Sequence, residues 1–279
     1  MDKKIIVFLG IMTLQGLGCD EIVPEYRLER PVPGERKILV EEFTGVRCPN
    51  CPEGTLELEN LKSIYGESLI IVSIHAGDFV FPYENSKFNF ETQDGNRLLD
   101  VLGNPIGYPS AVINRKLFEG ENSYQLFSSK WISLIGDESS ISPGVALDAQ
   151  IEFEVQNRRL SLELEIIPLQ RFDHTLFLVV MIVEDNITDP QADRLHPEGI
   201  VEEYVHNNVF RKMLTDANGM NLGSSFDQFA GLIRQFEFVL PPGEGWWKPA
   251  DIRVVAFVSK PIAGKDVSEV IQAGEWKLL

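Results

Sequence analysis

The sequence is poor in basic charge and in cysteine. Among 279 residues, 25 Lys and Arg stand against 42 Asp and Glu, a formal net charge of −17. A surface of that sign repels phosphates, so nucleic acid is excluded as a partner, and the acidity reads as a solvated exterior. Cysteine occurs three times and histidine four times. Neither a second Cys-x-x-Cys nor a His-x-x-x-His is present. The set Cys48, Cys51 and His75 is therefore incomplete for structural zinc, and no metal is expected. No apolar run is long enough to span a bilayer: residues 5–14 and 176–183 have the lengths of a signal-peptide core and a strand.

What is present suggests two domains, because the length exceeds the commonest domain size. At the N-terminus, Lys3 and Lys4 precede the short apolar run, and Gly16-Leu17-Gly18 supplies small residues before Cys19. This predicts a signal peptide over residues 1–18. Residues 19–34, rich in Glu, Pro and Arg and without periodicity, form a tether. A cysteine directly after Leu-Gly resembles the bacterial lipobox, with Gly16 where that family usually has Leu. The resemblance implies cleavage before Cys19 and a lipid on it, hence a membrane partner reached through a lipid anchor. Export would also place the other two cysteines outside the reducing cytosol.

Those two cysteines lie in Glu42-Phe43-Thr44-Gly45-Val46-Arg47-Cys48-Pro49-Asn50-Cys51-Pro52. Before them, residues 37–43 read as a short buried strand. After them, Leu58, Leu61 and Tyr65 recur at helical spacing, with Pro52 suited to a first turn. Strand, Cys-x-x-Cys, helix puts Cys48 near a helix N-terminus, where unpaired N–H groups favour a thiolate. This pattern resembles the thioredoxin fold, and two further features carry the resemblance. An acid, Glu42, stands six residues before the first cysteine, where thioredoxins usually have Asp, and Gly107-Tyr108-Pro109-Ser110 follows about sixty residues on. The resemblance implies that Pro109 is a cis-proline beside the dithiol, with Tyr108 next to an incoming substrate. The Thr-x-x-Cys spacing of peroxiredoxins is absent.

The first domain is expected over residues 35–140, with a parallel second strand at 69–75. An insertion over residues 78–95 carries Phe79, Phe81, Tyr83, Phe88 and Phe90. These rings either roof a peptide groove, with Phe79 and Phe81 as binding residues, or cover the sheet edge. Helices are expected over residues 97–103 and 123–135. Beyond residue 140 the period changes to two. Val145, Leu147, Ala149, Ile151 and Phe153 alternate with mainly polar residues, and Leu160, Leu162, Leu164 and Ile166 repeat the pattern after Asn157-Arg158-Arg159. Together with strand candidates at 176–183, 234–240 and 252–258, this predicts an all-β sandwich of immunoglobulin type over residues 141–279.

The stretch Tyr204-Val205-His206-Asn207-Asn208-Val209-Phe210-Arg211, taken with Glu-Phe-Thr-Gly, Cys-x-Asn-Cys-Pro and Gly-Tyr-Pro, resembles the Omp28-related outer membrane lipoproteins of Bacteroidetes type. The resemblance implies an outer membrane lipoprotein, on the periplasmic face or the cell surface. His206 reads as a structural histidine held with Tyr204 and Arg211, and Trp246-Trp247 as either a contact patch or a cap on the sandwich core.

The function expected is thiol–disulfide exchange on exported proteins. Cys48 is the nucleophile, Cys51 the resolving thiol, and Glu42 the proton partner, with no cofactor beyond the redox disulfide and the lipid on Cys19. The alternative is a non-catalytic binding or assembly subunit for envelope proteins, with Cys48–Cys51 as a structural disulfide.

Overall fold

The structure is a computed structural model, described here for residues 34–265 and 267–279. The expected signal peptide, Cys19 and all but the last residue of the expected tether lie outside these residues.

Strand β1 (Ile38–Thr44) is buried along its whole length and pairs in parallel with β2 (Leu69–His75), also buried throughout. Between them runs helix α1 (Cys51–Tyr65), with Pro52 in its first turn and Leu58 and Leu61 buried. Helix α2 (Gln93–Leu102) begins earlier than the apolar period suggests, because Thr92 caps it by accepting from Gly95 N at 2.9 Å. Strand β3 (Ser110–Ile113) then pairs antiparallel with β1.

The helix expected over residues 123–135 is shorter and later: α3 covers Trp131–Ser139. The backbone of Leu126 is instead committed to the free edge of β3, exchanging hydrogen bonds with Ala111 at 2.8 and 3.0 Å. The carbonyl of Leu126 also accepts from the indole of Trp131. Helices α1 and α3 cover one face of the sheet through Leu58, Leu61, Trp131 and Ile135, while Leu98 and Leu102 of α2 pack on the other.

The remaining strands are β4 (Val145–Glu154), β5 (Arg159–Pro168), β6 (Leu176–Glu184), β7 (Ile187–Ala192), β8 (Ile200–His206), β9 (Val209–Met213), β10 (Met220–Gly223), β11 (Leu232–Val239), β12 (Ile252–Pro261) and β13 (Ser268–Lys277). Five of them continue the first sheet, which has the order β13-β12-β6-β9-β2-β1-β3, with β10 also paired to β6. The change of pattern near residue 141 is therefore not a break in the sheet. The connection is narrow: β2 meets β9 in parallel at Ser73 and Val209 alone.

A second sheet, β11-β5-β4, is antiparallel. Its inward residues Leu160, Leu162, Leu164 and Ile166 pack with Leu178, Val180, Ile182, Val254 and Ala256 of the large sheet. The last pair, β7 and β8, forms a separate hairpin. The architecture is thus a mixed α/β sheet joined to antiparallel β-sheets. Among the described residues no helix is long and apolar enough to cross a membrane.

Candidate functional site

Cys48 and Cys51 are joined in a disulfide at the start of α1. The Tyr108–Pro109 peptide is cis. Pro109 lies against the first turns of α1, since a Cβ built on Gly54 would fall 2.7 Å from the Pro109 Cβ. The absence of a side chain at residue 54 lets the proline approach that closely.

Glu42, on β1, is completely buried and makes no ion pair among the described residues. Ser73 Oγ donates to its Oε2 at 2.7 Å, and Oε1 has no close hydrogen-bond partner. Burial raises the Glu42 pKa to about 7, against the lowering effect of Ser73 and Thr55; Glu59 raises it further. Ser73 and Thr55 also line a cavity of about 20 Å³, together with Thr44, Cys51, His75, Gln191, Tyr204 and His206. That is room for about one water molecule among several polar groups.

Both cysteines are only 1% exposed. The reason is a part of the chain that sequence reasoning left unassigned. The end of β7 and the turn after it lie along the Cys-x-x-Cys loop. Ala192 N donates to Val46 O at 2.8 Å and Arg194 N to Pro49 O at 2.9 Å. The Gln191 side-chain amide donates to Cys48 O at 3.1 Å and Gly45 O at 3.3 Å. Arg194 forms an ion pair with Glu53 of α1. The hairpin made by β7 and β8 is thus a cover on the disulfide. The sequence signal for it was faint: Gln191 and Arg194 sit in a polar, Pro-containing stretch with no motif.

The other expected site residues fall around this centre. Tyr108 donates to Ala76 O at 2.9 Å, and its ring meets Phe79 edge-on at 5.2 Å. Phe79 O accepts from Arg47 N at 3.0 Å, so Phe79 is tied to the loop that carries Cys48. Phe81 is 61% exposed. Arg47 does not face the sulfurs as a free cation: its guanidinium donates to Phe81 O and Pro82 O and lies 4.3 Å over Tyr83. Phe90, by contrast, is buried against His75 and His206, and Phe88 stacks on Trp246. The insertion therefore divides into an exposed tip and a buried base.

His206 is held with its Nε2 3.2 Å from Asp189 O and its ring 4.8 Å from Tyr204. Burial lowers its pKa to about 4 and that of His75 well below 6.5. Arg211 lies between Trp246 and Trp247, at 4.3 and 4.7 Å from the ring centres, and beside Glu184 at 3.4 Å. Trp247 belongs to the core between the large sheet and the β11-β5-β4 sheet, and Trp246 packs against it, so this pair caps that core. No three His, Cys, Asp or Glu among the described residues are grouped to hold a metal ion.

The model of the family described as outer membrane protein Omp28 matches residues 102–274. The chain belongs to the Omp28 family. The family is one of outer membrane proteins, and its matched segment contains Pro109, the cover hairpin and the Trp246-Trp247 cap. Among solved structures, this Omp28 family member is similar to HBP35 of Porphyromonas gingivalis, with a TM-score of 0.65 and 21% identity over 88% of this chain and 76% of that one. It is also similar to protein AGR_C_4864 from Agrobacterium tumefaciens, with a TM-score of 0.52 and 13% identity over 89% of this chain and 97% of that one. At these identities the likeness is one of fold. A search of curated proteins finds no match.

Proposed function

We propose that this protein is a cell-envelope lipoprotein that exchanges disulfides with exported proteins. Residues 35–140 form a thioredoxin-like domain and residues 141–279 an immunoglobulin-like sandwich that shares its sheet. Cys19 carries the lipid that holds the chain at the membrane.

The observation that carries the redox reading is Glu42. A fully buried carboxyl without an ion pair is costly, and a pKa near 7 fits a group that exchanges a proton at neutral pH. Its hydrogen-bond partner Ser73 lines the same cavity as Cys51. In the direction that oxidises a partner, the partner's thiolate attacks Cys48 Sγ, forming a mixed disulfide and breaking the Cys48–Cys51 bond. Cys51 leaves as a thiolate and takes the proton of Glu42. A second thiolate of the partner then attacks the mixed disulfide, releasing the oxidised partner and Cys48 as a thiolate, so two electrons reach the Cys48–Cys51 pair. The opposite direction reverses these steps. Because both sulfurs are covered, a protein thiol reaches Cys48 only when the β7–β8 hairpin moves aside.

The same burial favours a second reading, a structural disulfide in a binding or assembly subunit. A Cys51→Ser variant separates the two, because it leaves Cys48 to hold partners as mixed disulfides. The exchange reading expects covalent complexes of this variant with exported proteins, and turnover by the wild-type protein in an insulin-reduction assay. Absence of both under oxidising and reducing conditions replaces it with the second reading.

A further inference from the structure

The cover hairpin is fixed unevenly along its length. At its base, Asn208 N donates to Asp185 Oδ1 at 2.8 Å and Asn186 N to Asn207 Oδ1 at 3.1 Å, while Ile187 is fully buried. Its middle is tied to the insertion, where Lys87 N donates to Asp189 Oδ1 at 2.7 Å and Asn85 Nδ2 to Glu202 Oε2 at 2.6 Å. Between Asp189 and Gln191 the register of β7 against β8 shifts, at Pro190. A bulge at a proline interrupts the ladder and separates what lies on its two sides. Beyond it, residues 191–194 dock on the Cys-x-x-Cys loop through bonds to the carbonyls of Gly45, Val46, Cys48 and Pro49, and through the exposed Arg194–Glu53 ion pair. From residue 188 to residue 206 no side chain joins an apolar core cluster among the described residues. The far end of the hairpin is thus held by polar contacts to the very loop that the disulfide closes.

Reduction acts on that loop directly. A thiol reductant breaks the S–S bond with two electrons, is oxidised to its own disulfide, and passes two protons to Cys48 and Cys51. Two sulfurs that shared a bond then move apart to van der Waals separation. Cys48, near the start of α1, is placed to ionise, and a thiolate is costly unless it reaches water. The surroundings leave little room: both cysteines are 1% exposed, and the adjoining cavity, lined by Cys51 and Gln191, measures about 20 Å³. Strand β1 is buried along its whole length and paired through all of it with β2, so it does not yield. The docked end of the hairpin does, because Cys48 O and Pro49 O lie within the ring that reduction opens.

We propose that the Cys48–Cys51 pair is a redox latch on the C-terminal half: the disulfide keeps the end of the β7–β8 hairpin, residues 191–201, on the loop, and reduction to the dithiol releases it. The oxidised molecule presents a sealed loop, and the reduced one an accessible Cys48 thiol beside a free hairpin end. By reciprocity, the docked end favours the disulfide by the same factor by which the disulfide favours docking. The latch stands on the contacts between hairpin and loop and requires no turnover, so it goes beyond the exchange reading and is compatible with either proposed function.

Two measurements test it. The first is amide hydrogen exchange of the intact protein, oxidised and after reduction with dithiothreitol. The amides of Ala192 and Arg194, which donate to the loop, are expected to exchange at least about tenfold faster in the dithiol form. The Asn208 amide at the base and those of Val180 and Ala256 in the large sheet are expected to keep their rates. Equal rates at Ala192 and Arg194 in the two forms overturn the latch, as does a matching acceleration of the sheet amides. Should the disulfide resist reduction, Cys48→Ser combined with Cys51→Ser supplies the unlinked loop, with the same expected outcome. The second is the equilibrium between disulfide and dithiol in glutathione buffers. Gln191→Ala weakens docking, and a hairpin docked only in the oxidised form is weakened in that form alone. The variant is therefore expected to favour the dithiol by about five- to a hundredfold over the wild type. A hairpin docked in both forms loses the same bonds in each, and an unchanged equilibrium overturns the latch. Neither measurement involves a protein substrate, so a failure to turn over insulin leaves the latch intact, and failure of the latch leaves the exchange reading to the mixed-disulfide trap.

Discussion

At the scale of the residue, the site is governed by what burial does to ionisable groups. The Glu42 pKa is raised to about 7 from an ordinary 4.5. Between those values the folded protein keeps a proton that the unfolded chain releases. The contribution is therefore full below pH 4.5 and is lost as the pH rises through 7. At about 1.4 kcal/mol per unit, the loss is about 3 kcal/mol. Glu42→Gln removes it, so urea denaturation is expected to find the variant more stable than the wild type at pH 8, by up to that amount, and no more stable at pH 4. The histidines act in the opposite sense. His206 stays neutral down to about pH 4, so its stabilising contribution is present above 6.5 and is lost as the pH falls toward 4; His75 adds in the same direction. Since Glu42 opposes them over the same range, stability of the Glu42→Gln variant is expected to fall more steeply from pH 6.5 to 4.5 than that of the wild type. Equal slopes would show that Glu42 titrates normally. Packing is equally local at Gly54, where an added methyl meets the Pro109 ring. Gly54→Ala is expected to lower stability by about 1–3 kcal/mol, read as a fall in Tm.

At the scale of the element, what was legible in the sequence was what short-range chemistry determines. The strand, the Cys-x-x-Cys turn and α1 follow from neighbouring residues, and so does the β4–β5 hairpin, whose apolar positions alternate within each strand. Glu42 and Pro109 were singled out by the resemblance to the thioredoxin fold, and the structure buries the first on β1 and makes the peptide before the second cis. The cover was not singled out, because its contacts are made at a distance: Gln191 reaches Cys48 across 143 positions. β7 itself reads Ile-Thr-Asp-Pro-Gln-Ala, with a proline and polar residues where a strand pattern looks for apolar ones. For the same reason the segment before Trp131 was read as helix, although the edge of β3 claims its backbone. The cover can be tested as an element. Gln191→Ala leaves Cys48 O and Gly45 O without that donor, which lowers the cost of local opening by about 1–3 kcal/mol. Reduction of the disulfide by dithiothreitol is then expected to be about five- to a hundredfold faster than in the wild type. An unchanged rate would mean that reductant reaches the sulfurs by another path.

At the scale of the whole molecule, the question is why two halves of different pattern behave as one sheet when β2 and β9 share a single pair. The join is made by side chains. Arg115, only 2% exposed, holds Glu41 of β1 through bonds of 2.6 and 2.8 Å. Its third nitrogen donates to Ala217 O, and its guanidinium lies 4.7 Å from the Phe257 ring of β12. Arg36 contributes a second tie, to Glu138 and to Val270 O of β13. Apolar side chains complete it, because Phe43, Ile74, Phe210, Val255 and Phe257 belong to one cluster that runs across both halves. A shared core of this kind predicts a single calorimetric transition in the wild type. Arg115→Ala leaves Glu41 buried without its partner, at a cost of about 3–5 kcal/mol. Because that loss falls on the join, the transition is expected to broaden or split as well as shift downward. Arg115→Leu combined with Glu41→Leu removes both charges together and is expected to recover much of the lost stability in one transition. Two transitions in the wild type would mean that the halves are coupled only by the Ser73–Val209 pair, and the cover would then be free to leave the dithiol without disturbing either core.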